Sequence, residues 1–481
     1  MKPTAARRAP RLSRPRPAAA IVLSLLAALV LPAAVHAAPA PLSLGFVDGV
    51  FDGPDSSIWL QRAAAAGSNV VRINVGWNVP ETPRKPAGFD ALDPASPDYN
   101  FAPADAAIKE ATADGMRVIA NFTGAPRWAQ GPNMPRSATP GTWEPNDLDI
   151  QQYAIALATR YSGHFPDPAD PLKMLPKVWA FQLWNEPNLP LYLSPQWQHG
   201  RPVSPVIYRG MLNAFYRGIK SVDPGALVVT AGTAPFGDPP PYGPRVSPAL
   251  FWRVALCVQQ VGTQLRDSHC SDPAHFDALA HHPYSVGEPS TKALNADDVS
   301  IPDIGKLTRI LRVAERGGTA LPRIHHPIWV TEVGYNTKPP NPQGVPVQED
   351  ARWVEQALEL LWSQGVSLII WNNIADDPPV PSYLLTSQSG IYYLDGRPKP
   401  ALTAFQFPVV PWRQHGVVEV WGRAPSSGRL ALEVQDGNNW KTISSLNVHK
   451  GSTFLTHFVD TQSLTLRGQL NGLTSVSLPL H

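Results

Sequence analysis

Two glutamates stand at the ends of short apolar runs that contain tryptophan. Glu186 lies in the sequence Trp-Asn-Glu-Pro-Asn (184–188), and Glu332 lies in Trp-Val-Thr-Glu-Val-Gly (329–334). A carboxylic acid can donate a proton and a nearby carboxylate can act as a base or nucleophile, so a facing pair can catalyse bond cleavage. A single glutamate in such a position is usually solvated or ion-paired. Two in similar aromatic settings favour a catalytic pair, provided that the fold brings them together.

Short runs rich in Val, Ile and aromatic residues alternate with amphipathic segments along most of the chain. Strands are predicted at 44–47, 69–75, 117–122, 178–184, 227–231, 276–282, 328–332 and 367–371. Helices are predicted at 57–66, 104–113, 148–161, 205–222, 248–261, 303–316 and 348–363. The alternation requires a parallel sheet, and eight repeats predict an α/β fold, a closed (β/α)8 TIM barrel over 41–405. An open doubly wound sheet is the rival, but no glycine-rich turn follows the first strand.

A barrel would bring the two glutamates together. Glu186 would end the fourth strand and Glu332 the seventh, and the strands of a barrel all end at one mouth. Hydrolysis of a glycosidic bond requires two such carboxyl groups, because one protonates the leaving oxygen while the other attacks or stabilises the anomeric carbon. Long proline-rich connections follow several strands and would wall a cleft at that mouth. They span 78–100, 124–145, 187–204, 235–247 and 376–389.

The C-terminal part of the chain follows a different pattern. From residue 416 onward, apolar and polar residues alternate with period two, and turns at 427–428, 436–438 and 450–451 separate the runs. This pattern predicts a small antiparallel β domain of about six to eight strands. We assign it to 408–481 as a β-sandwich-like accessory domain, which either binds polysaccharide or packs on the barrel.

The first 38 residues have the three-part layout of a secretory signal peptide. A basic stretch ends at Arg16, an uncharged apolar run covers 18–34, and small residues follow at a plausible cleavage site. An uncleaved membrane anchor is the alternative, although the apolar run is short for a bilayer span. We therefore expect a protein that is secreted or associated with the cell envelope. No later run is long and apolar enough to span a membrane, so no membrane association is expected after cleavage.

Composition excludes several other classes. The chain of 481 residues is 43% hydrophobic and 16% charged, which excludes intrinsic disorder. Its formal net charge is +2, but the basic leader accounts for this excess, and the rest of the chain is mildly acidic. That balance leaves no electrostatic footprint for nucleic acid. We expect a monomer.

The two cysteines, Cys257 and Cys270, lie close together along the chain. Export into an oxidising compartment favours a disulfide between them, and two unrelated buried thiols are the alternative. Two cysteines are too few for a thiolate zinc or iron–sulfur site of the usual four-ligand kind.

The chain resembles a known enzyme group at several of these positions. Asn-Glu-Pro (185–187) after the fourth predicted strand, with Glu332 after the seventh, is similar to the clan A retaining glycoside hydrolases, particularly families 5 and 39. Further matches are Val-Arg-Ile-Asn (71–74), Ala-Pro-Arg-Trp-Ala (125–129), His-Pro-Tyr (282–284), Trp371 and Gly-Arg-Pro-Lys-Pro-Ala (396–401). The resemblance covers the whole barrel and implies a cellulase-type TIM barrel.

The resemblance also implies roles for the matching residues. It makes Glu186 the acid/base and Glu332 the nucleophile. It implies that substrate is bound or positioned by Arg72, Asn185, His282, Tyr284, Trp371 and Trp128. Arg72 would keep the nucleophile ionised, although it could instead be a structural arginine of the core, and Asn185 could instead cap its strand. Trp371 would form the floor of the catalytic subsite, with a cis bond to Asn372.

No metal or other cofactor is expected, because the adjacent His281 and His282 point to opposite faces of a strand and cannot hold one ion together. The leading hypothesis is a secreted retaining glycoside hydrolase that cleaves O-glycosidic bonds of a poly- or oligosaccharide by double displacement. The alternatives are a non-catalytic carbohydrate-binding barrel and a transglycosylase that uses the same two glutamates.

Overall fold

The computed structural model describes residues 40–77, 79, 81–238, 243–460 and 463–480. The expected signal segment at 1–38 lies outside these residues. The described residues from 40 onward belong to one compact unit. No helix in this described part of the chain is long and apolar enough to cross a lipid bilayer.

Eight parallel strands form the barrel. They are β1 (Ser43–Val47), β2 (Val70–Asn74), β3 (Arg117–Phe122), β4 (Ala180–Leu183), β5 (Leu227–Val229), β6 (Leu279–His281), β7 (Ile328–Val330) and β8 (Leu368–Asn372). Neighbours in the sheet follow the order β6-β7-β8-β1-β2-β3-β4-β5, so β1 pairs with both β2 and β8. Isolated parallel bridges at Val229–Ala278 and Thr233–His281 span the remaining gap between β5 and β6. The predicted (β/α)8 barrel is confirmed.

Eight α-helices accompany these strands in the described chain. They are α1 (Ser56–Ala65), α2 (Ala102–Ala113), α3 (Asp147–Arg160), α4 (Ser204–Val222), α5 (Pro248–Ala255), α6 (Gly305–Gly317), α7 (Val347–Ser363) and α8 (Pro400–Gln406). Several ends have clear local causes. The side chain of Asn146 caps α3 by accepting from the amides of Leu148 and Asp149. Gly318 ends α6 with a φ of 72°, a conformation that favours glycine.

Several short elements lie in the connections between the barrel strands and helices. Single turns of 3-10 helix cover Gly49–Asp52, Arg127–Ala129 and Ile301–Asp303. Antiparallel hairpins pair Pro166–Asp167 with Asp170–Met174, Trp197–Gln198 with Arg201–Pro202, and Val258–Val261 with Gln264–Asp267. Short parallel pairs join Ala274–His275 to Ala320–Leu321 and Thr337–Lys338 to Val345–Pro346.

The helix predicted at 248–261 is correct only in its first half. The structure ends α5 at Ala255, and Cys257 then takes a φ of 53°, which turns the chain into the hairpin that begins at Val258. The expected disulfide is present, since Cys257 and Cys270 are bonded with their Cα atoms 5.7 Å apart. The bond joins the start of this hairpin to the segment that follows it.

Side chains of the barrel divide between an inner and an outer core. A small inner cluster fills the barrel and draws residues from all eight strands or the residues beside them, including Val47, Val70, Ile119, Ala180, Val229, Ala280, Trp329 and Ile370. The much larger outer cluster lies between the sheet and the helices. Side chains two positions further along a strand point to the same face. Several of those positions are polar above the inner cluster: Arg72, Asn121, Gln182, His282, Thr331 and Asn372.

The C-terminal part forms two antiparallel sheets. Its strands are β9 (Val409–Gln414), β10 (Val417–Arg423), β11 (Gly428–Asp436), β12 (Asn439–Val448), β13 (Thr453–Val459), β14 (Leu464–Leu470), β15 (Leu473–Thr474) and β16 (Leu478–Leu480). One sheet has the order β9-β10-β13, and the other has β12-β11-β14-β15 with β16 also paired to β14. A separate apolar cluster draws residues from both sheets, as the alternating sequence pattern predicts.

Hydrogen bonds and ring packing connect these sheets to the barrel. The buried Arg423 on β10 donates to the carbonyl oxygens of Leu42 and Gly67, on either side of the first barrel repeat. The amide of Val409 donates to the buried carboxyl of Glu355 on α7, and Trp421 packs against Trp362. The C-terminal sheets therefore pack on the barrel through specific contacts.

Candidate active site

The chain turns sharply after β4 and presents Glu186 at the barrel mouth. Trp184 and Glu186 both have positive φ angles, 73° and 34°, which are uncommon for residues with a side chain. Neighbouring groups hold this backbone in place. The indole nitrogen of Trp184 donates to the carbonyl of Tyr192 at 2.8 Å, and the amide of Glu186 donates to the carbonyl of Gly232 at 3.0 Å. The carboxyl group of Glu186 is thus fixed by the turn rather than by a regular strand.

Glu332 follows β7 and is surrounded by groups that favour its ionised form. Nη1 of the buried Arg72 donates to Oε1 of Glu332 at 2.6 Å, and the hydroxyl of Tyr284 donates to Oε2 at 3.2 Å. Burial alone would raise the pKa of Glu332, but the electrostatic interactions with His282 and Arg72 and these hydrogen bonds outweigh it and hold that pKa below its usual value. Glu332 is therefore a carboxylate at neutral pH.

His282 lies between the two glutamates. Its Nδ1 is 3.1 Å from Oε1 of Glu186 and 3.6 Å from Oε2 of Glu332, while its Nε2 is 3.0 Å from the hydroxyl of Thr331. The ring is fully buried, and a Cβ at Gly232 would stand only 2.0 Å from Nε2. Glycine at position 232 is thus what leaves room for the imidazole, which Thr331 then orients toward both carboxyl groups.

Asn185 joins the same network through Arg72. Nη2 of Arg72 donates to Oδ1 of Asn185 at 3.2 Å, so one guanidinium contacts both the Glu332 side and the Glu186 side of the site. The structure therefore brings together Glu186, Glu332, Arg72, Asn185, His282 and Tyr284, as the sequence predicts. Their chemical roles remain predictions that geometry alone does not test.

One carboxyl oxygen from each glutamate and a nitrogen of His282 all lie within 4.8 Å of one another. Such spacing could also hold a cation. Arg72, however, already places a positive charge 2.6 Å from Glu332, which would oppose a metal ion at the same carboxylate. His281 is not part of the group. Its ring faces away, toward Thr233 Oγ1 at 2.9 Å and the carbonyl of Val299 at 2.9 Å, as strand alternation predicts.

Two further polar residues belong to the site and were not predicted from the sequence. Nδ2 of Asn372, the last residue of β8, donates to the hydroxyl of Tyr284 at 2.9 Å. Tyr192 lies in the loop after β4, where burial and the charges of Glu186 and Glu332 raise the pKa of its phenol to about 12. No periodic pattern marks either residue, because the residues of β8 before Asn372 are all apolar and Tyr192 lies in a loop.

The expectation that Trp371 forms the floor of the catalytic subsite is wrong. Its side chain is 1% exposed and belongs to the outer core, where it lies near Tyr335 and donates from its indole nitrogen to the carbonyl of Ser389. Leu368 and Ile370 face the barrel interior instead, so Asn372 is the member of β8 that reaches the site. The expected cis bond between 371 and 372 is also wrong, because the cis peptide bond joins Asn372 and Asn373.

Trp128 lies among aromatic residues in the loops that follow β2 and β3. Its ring is 5.6 Å from that of Trp77 and 5.9 Å from that of Phe89, with the ammonium of Lys85 5.2 Å away. The ring is half-buried in this cluster. A contact between Trp128 and substrate remains a prediction.

A polar cavity of about 510 Å³ opens beside Glu332 at the ends of β7 and β8. Tyr284 and Asn372 line it on the side of the glutamates. The other polar lining residues are Asn336, Asn373, Asp377, Thr386, Ser387 and Ser389. Amide and hydroxyl groups in this density can hydrogen-bond the hydroxyl groups of a sugar.

Comparison with known proteins assigns this barrel. The family model described as "Cellulase (glycosyl hydrolase family 5)" matches residues 55–377, so the chain belongs to glycosyl hydrolase family 5. The enzymes of this family are glycoside hydrolases, as the sequence resemblance implies. No curated protein sequence matches the chain significantly.

Solved structures with a similar fold include other glycosidases. A family 39 glycoside hydrolase from the gut symbiont Bacteroides cellulosilyticus WH2 has a TM-score of 0.54 at 16% identity, covering 88% of this chain and 81% of its own. A glucosidase from Croceicoccus marinus has a TM-score of 0.50 at 15% identity, covering 88% of this chain and 93% of its own. At these identities the likeness concerns the fold.

Proposed function

We propose that this glycoside hydrolase cleaves O-glycosidic bonds with retention of anomeric configuration, with Glu332 as nucleophile and Glu186 as acid/base. The observation that carries the proposal is the facing pair of carboxyl groups, in which one oxygen of Glu186 and one oxygen of Glu332 lie within 4.8 Å of each other. Retaining enzymes place their carboxyl groups about 5–5.5 Å apart, whereas inverting enzymes need about 6.5–9.5 Å to admit a water molecule. The spacing supports the retaining mechanism.

The environments of the two glutamates support this division of roles. A guanidinium and a phenol hydroxyl contact Glu332 and stabilise its carboxylate, which a nucleophile requires. Among the described residues, neither a guanidinium nor a phenol hydroxyl hydrogen-bonds to the carboxyl group of Glu186, which contacts His282 instead. In the first step a Glu332 oxygen would bond to the anomeric carbon while that carbon's bond to the leaving oxygen breaks, and the Glu186 proton would pass to that oxygen.

The second step would reverse the role of Glu186. As a carboxylate it would accept a proton from water while the water oxygen bonds to the anomeric carbon and releases Glu332. Asn185 accepts from Arg72 through Oδ1, and its side chain also contacts Tyr192. In the substrate complex its amide nitrogen would donate to a sugar hydroxyl. A transglycosylase would use the same residues with a sugar hydroxyl in place of water.

The remaining expectations enter as parts of the same proposal. The enzyme would be exported by the signal segment at 1–38, act as a monomer on a poly- or oligosaccharide, and carry an accessory β domain at 408–481 that packs on the catalytic barrel at 41–405. The contacts of Arg423 and Glu355 across this junction support packing as the main role of the accessory domain.

Replacing either glutamate tests the proposal. We expect Glu332→Gln and Glu186→Gln each to lower kcat by several orders of magnitude on aryl glycosides without lowering the melting temperature. The matched control is Glu419→Gln on β10, which should retain full activity. Azide should restore turnover to Glu186→Ala, since a small anion can attack the glycosyl-enzyme without help from a base.

Product stereochemistry decides the mechanism independently. Proton NMR of the first-formed sugar should show the anomeric configuration of the substrate. An inverted product would rule out double displacement. A purified protein with no turnover on any glycoside of a broad panel, yet with binding of sugars, would instead favour the non-catalytic carbohydrate-binding barrel.

A further inference from the structure

A second cavity opens at the barrel mouth, in the loops that follow β5 and β6. It has a volume of about 480 Å³, within the usual range of small-molecule sites. Its lining includes Phe236, Val286, Ala293 and Leu294. Val286 and Leu294 are 75% and 101% exposed, so large apolar side chains stand in solvent at the rim. Exposed apolar groups beside a concave surface mark a binding site for an apolar ligand.

Several polar residues around this cavity already have partners. Asp298 accepts from the amide of Gly237 at 2.9 Å and from the side chain of Asn295 at 2.8 Å. Arg245 forms several hydrogen bonds with Asp238, the shortest at 2.6 Å. What the cavity offers to a ligand is therefore mainly the apolar surface, in contrast to the polar cavity beside Glu332.

Hydrogen bonds connect this cavity to the loop that carries Glu186. Asn188, two residues after Glu186, is fully buried and donates through Nδ2 to the carbonyl oxygens of Ala234 and Val246. Its Oδ1 accepts from the amide of Ala234 at 2.8 Å. Ala234 leads into the wall at Phe236, and Val246 follows Arg245. The cavity wall and the Glu186 loop are thus one hydrogen-bonded unit.

The positions of the two cavities around the mouth suggest different parts of the substrate. A proton donor lies next to the leaving oxygen, so the leaving group extends on the side of Glu186. The apolar cavity lies in the loops after β5 and β6, and Asn188 connects its wall to the loop of Glu186. The polar cavity lies mainly in the loops after β7 and β8. We propose that the apolar cavity binds the leaving group, and that the preferred substrates are glycosides with an apolar, aryl-bearing leaving group.

This inference rests on the proposed function. It replaces the poly- or oligosaccharide expected from the sequence with a glycoside whose leaving group is apolar. A sugar as leaving group would need hydrogen-bonding partners on this side of the site, where Asp298 and Arg245 are engaged with other protein groups.

The test compares two glycosides with the same sugar and leaving alcohols of similar acidity, the 2-phenylethyl and the ethyl glycoside. The sugar is the one that gives turnover in the aryl glycoside panel. We expect kcat/KM to be about ten- to a hundredfold higher for the 2-phenylethyl glycoside, as burial of a phenyl group provides. Leu294→Asp and Val286→Asp should each reduce this ratio about tenfold or more.

Leu172→Asp is the matched control, because Leu172 is 96% exposed on the hairpin strand Asp170–Met174, before β4. It should leave the ratio at the wild-type value. Turnover with a ratio near one, or a ratio that both cavity variants leave unchanged, would overturn the inference while the proposed function stands. Faster cleavage of a disaccharide than of the 2-phenylethyl glycoside would assign the cavity to a sugar and also overturn it. Absence of turnover on every glycoside would overturn the proposed function and this inference together.

Discussion

At the scale of residues, Arg72 links the two halves of the site through one guanidinium group. It donates to Glu332 and to Asn185 from its two terminal nitrogens. The pKa of Glu332 stays low because its electrostatic interactions with His282 and Arg72 outweigh burial. Removing the charge of Arg72 should therefore raise the pKa of Glu332, so that the carboxylate protonates at a higher pH.

We expect Arg72→Met to lower kcat/KM about tenfold or more and to move the acid limb of its pH profile to higher pH. The loss follows from the charge-assisted hydrogen bonds that disappear. Arg72→Lys keeps the positive charge but loses the second terminal nitrogen, which donates to Asn185. Its acid limb should therefore stay close to that of the wild type. Measuring kcat/KM over a pH series gives the size of the loss and the position of the acid limb for both variants. A melting curve verifies that each variant is folded. An acid limb that stays in place in Arg72→Met would contradict this account of Glu332.

At the scale of elements, Lys399 ties the start of α8 to the two loops that end at the site. Its buried ammonium lies 2.5 Å from Oδ1 of Asp376, 2.7 Å from the hydroxyl of Thr337 and 3.0 Å from the carbonyl of Gln388. Thr337 belongs to the loop after β7, and the other two belong to the loop after β8. The same pair of loops carries the polar cavity.

Replacing one partner of this ion pair should destabilise the fold more, per residue replaced, than replacing both partners together. We expect Lys399→Met and Asp376→Asn each to lower the free energy of unfolding by about 3–5 kcal/mol, because each leaves a buried charge without its partner. The double variant should lose less than the sum of the two. Urea denaturation of the four proteins closes the cycle. Strictly additive losses would show that Lys399 and Asp376 do not interact.

The sequence predicts the positions of the barrel strands and helices well. It predicts less well which side chains of a strand point into the barrel. In β2 the polar Arg72 and Asn74 alternate with apolar residues, so the pattern fixes which side points inward. In β8 the four residues before Asn372 are all apolar and fully buried, as in any strand covered on both faces. A shift by one residue then exchanges the two faces. For this reason the sequence pattern predicts Trp371 at the site in place of Asn372.

Other site features depend on contacts between distant segments. Tyr192 reaches the site because the indole of Trp184 binds its carbonyl, and the orientation of His282 depends on Thr331. Neither contact has a local sequence signal. The turn into the hairpin at Val258 likewise has no local sequence signal, since the apolar spacing of α5 continues in the sequence beyond Ala255, whereas Cys257 takes a left-handed conformation.

At the scale of the whole molecule, the junction between barrel and C-terminal sheets contains a buried acid. Glu355 on α7 is fully buried and accepts from the amide of Val409, and burial raises its pKa well above the usual value. The folded state therefore keeps a proton that the unfolded chain releases more easily. Such a group contributes no penalty below its unfolded pKa and destabilises the fold increasingly as pH rises from there toward its folded pKa.

Glu355→Gln should remove this penalty while its amide oxygen still accepts from Val409. We expect the variant to melt at a higher temperature than the wild type, with a difference that is small near pH 4 and grows toward pH 8. Calorimetry at several pH values measures it. Glu419→Gln, on β10 of the same C-terminal region, should show no such trend. A difference that shrinks with rising pH would mean that Glu355 is ionised in the folded protein.

The pairing of β1 with β8 has a consequence for the order in which the chain can fold during synthesis. Asp48, directly after β1, accepts hydrogen bonds from the amides of Ile374 and Ala375, the first of them 326 residues later. Until the ribosome has made β8, the N-terminal strand has an unpaired edge, and open edges readily recruit other chains. Contacts over such a distance in sequence also form slowly. The newly made chain thus depends on protection from association until its last barrel strand is complete.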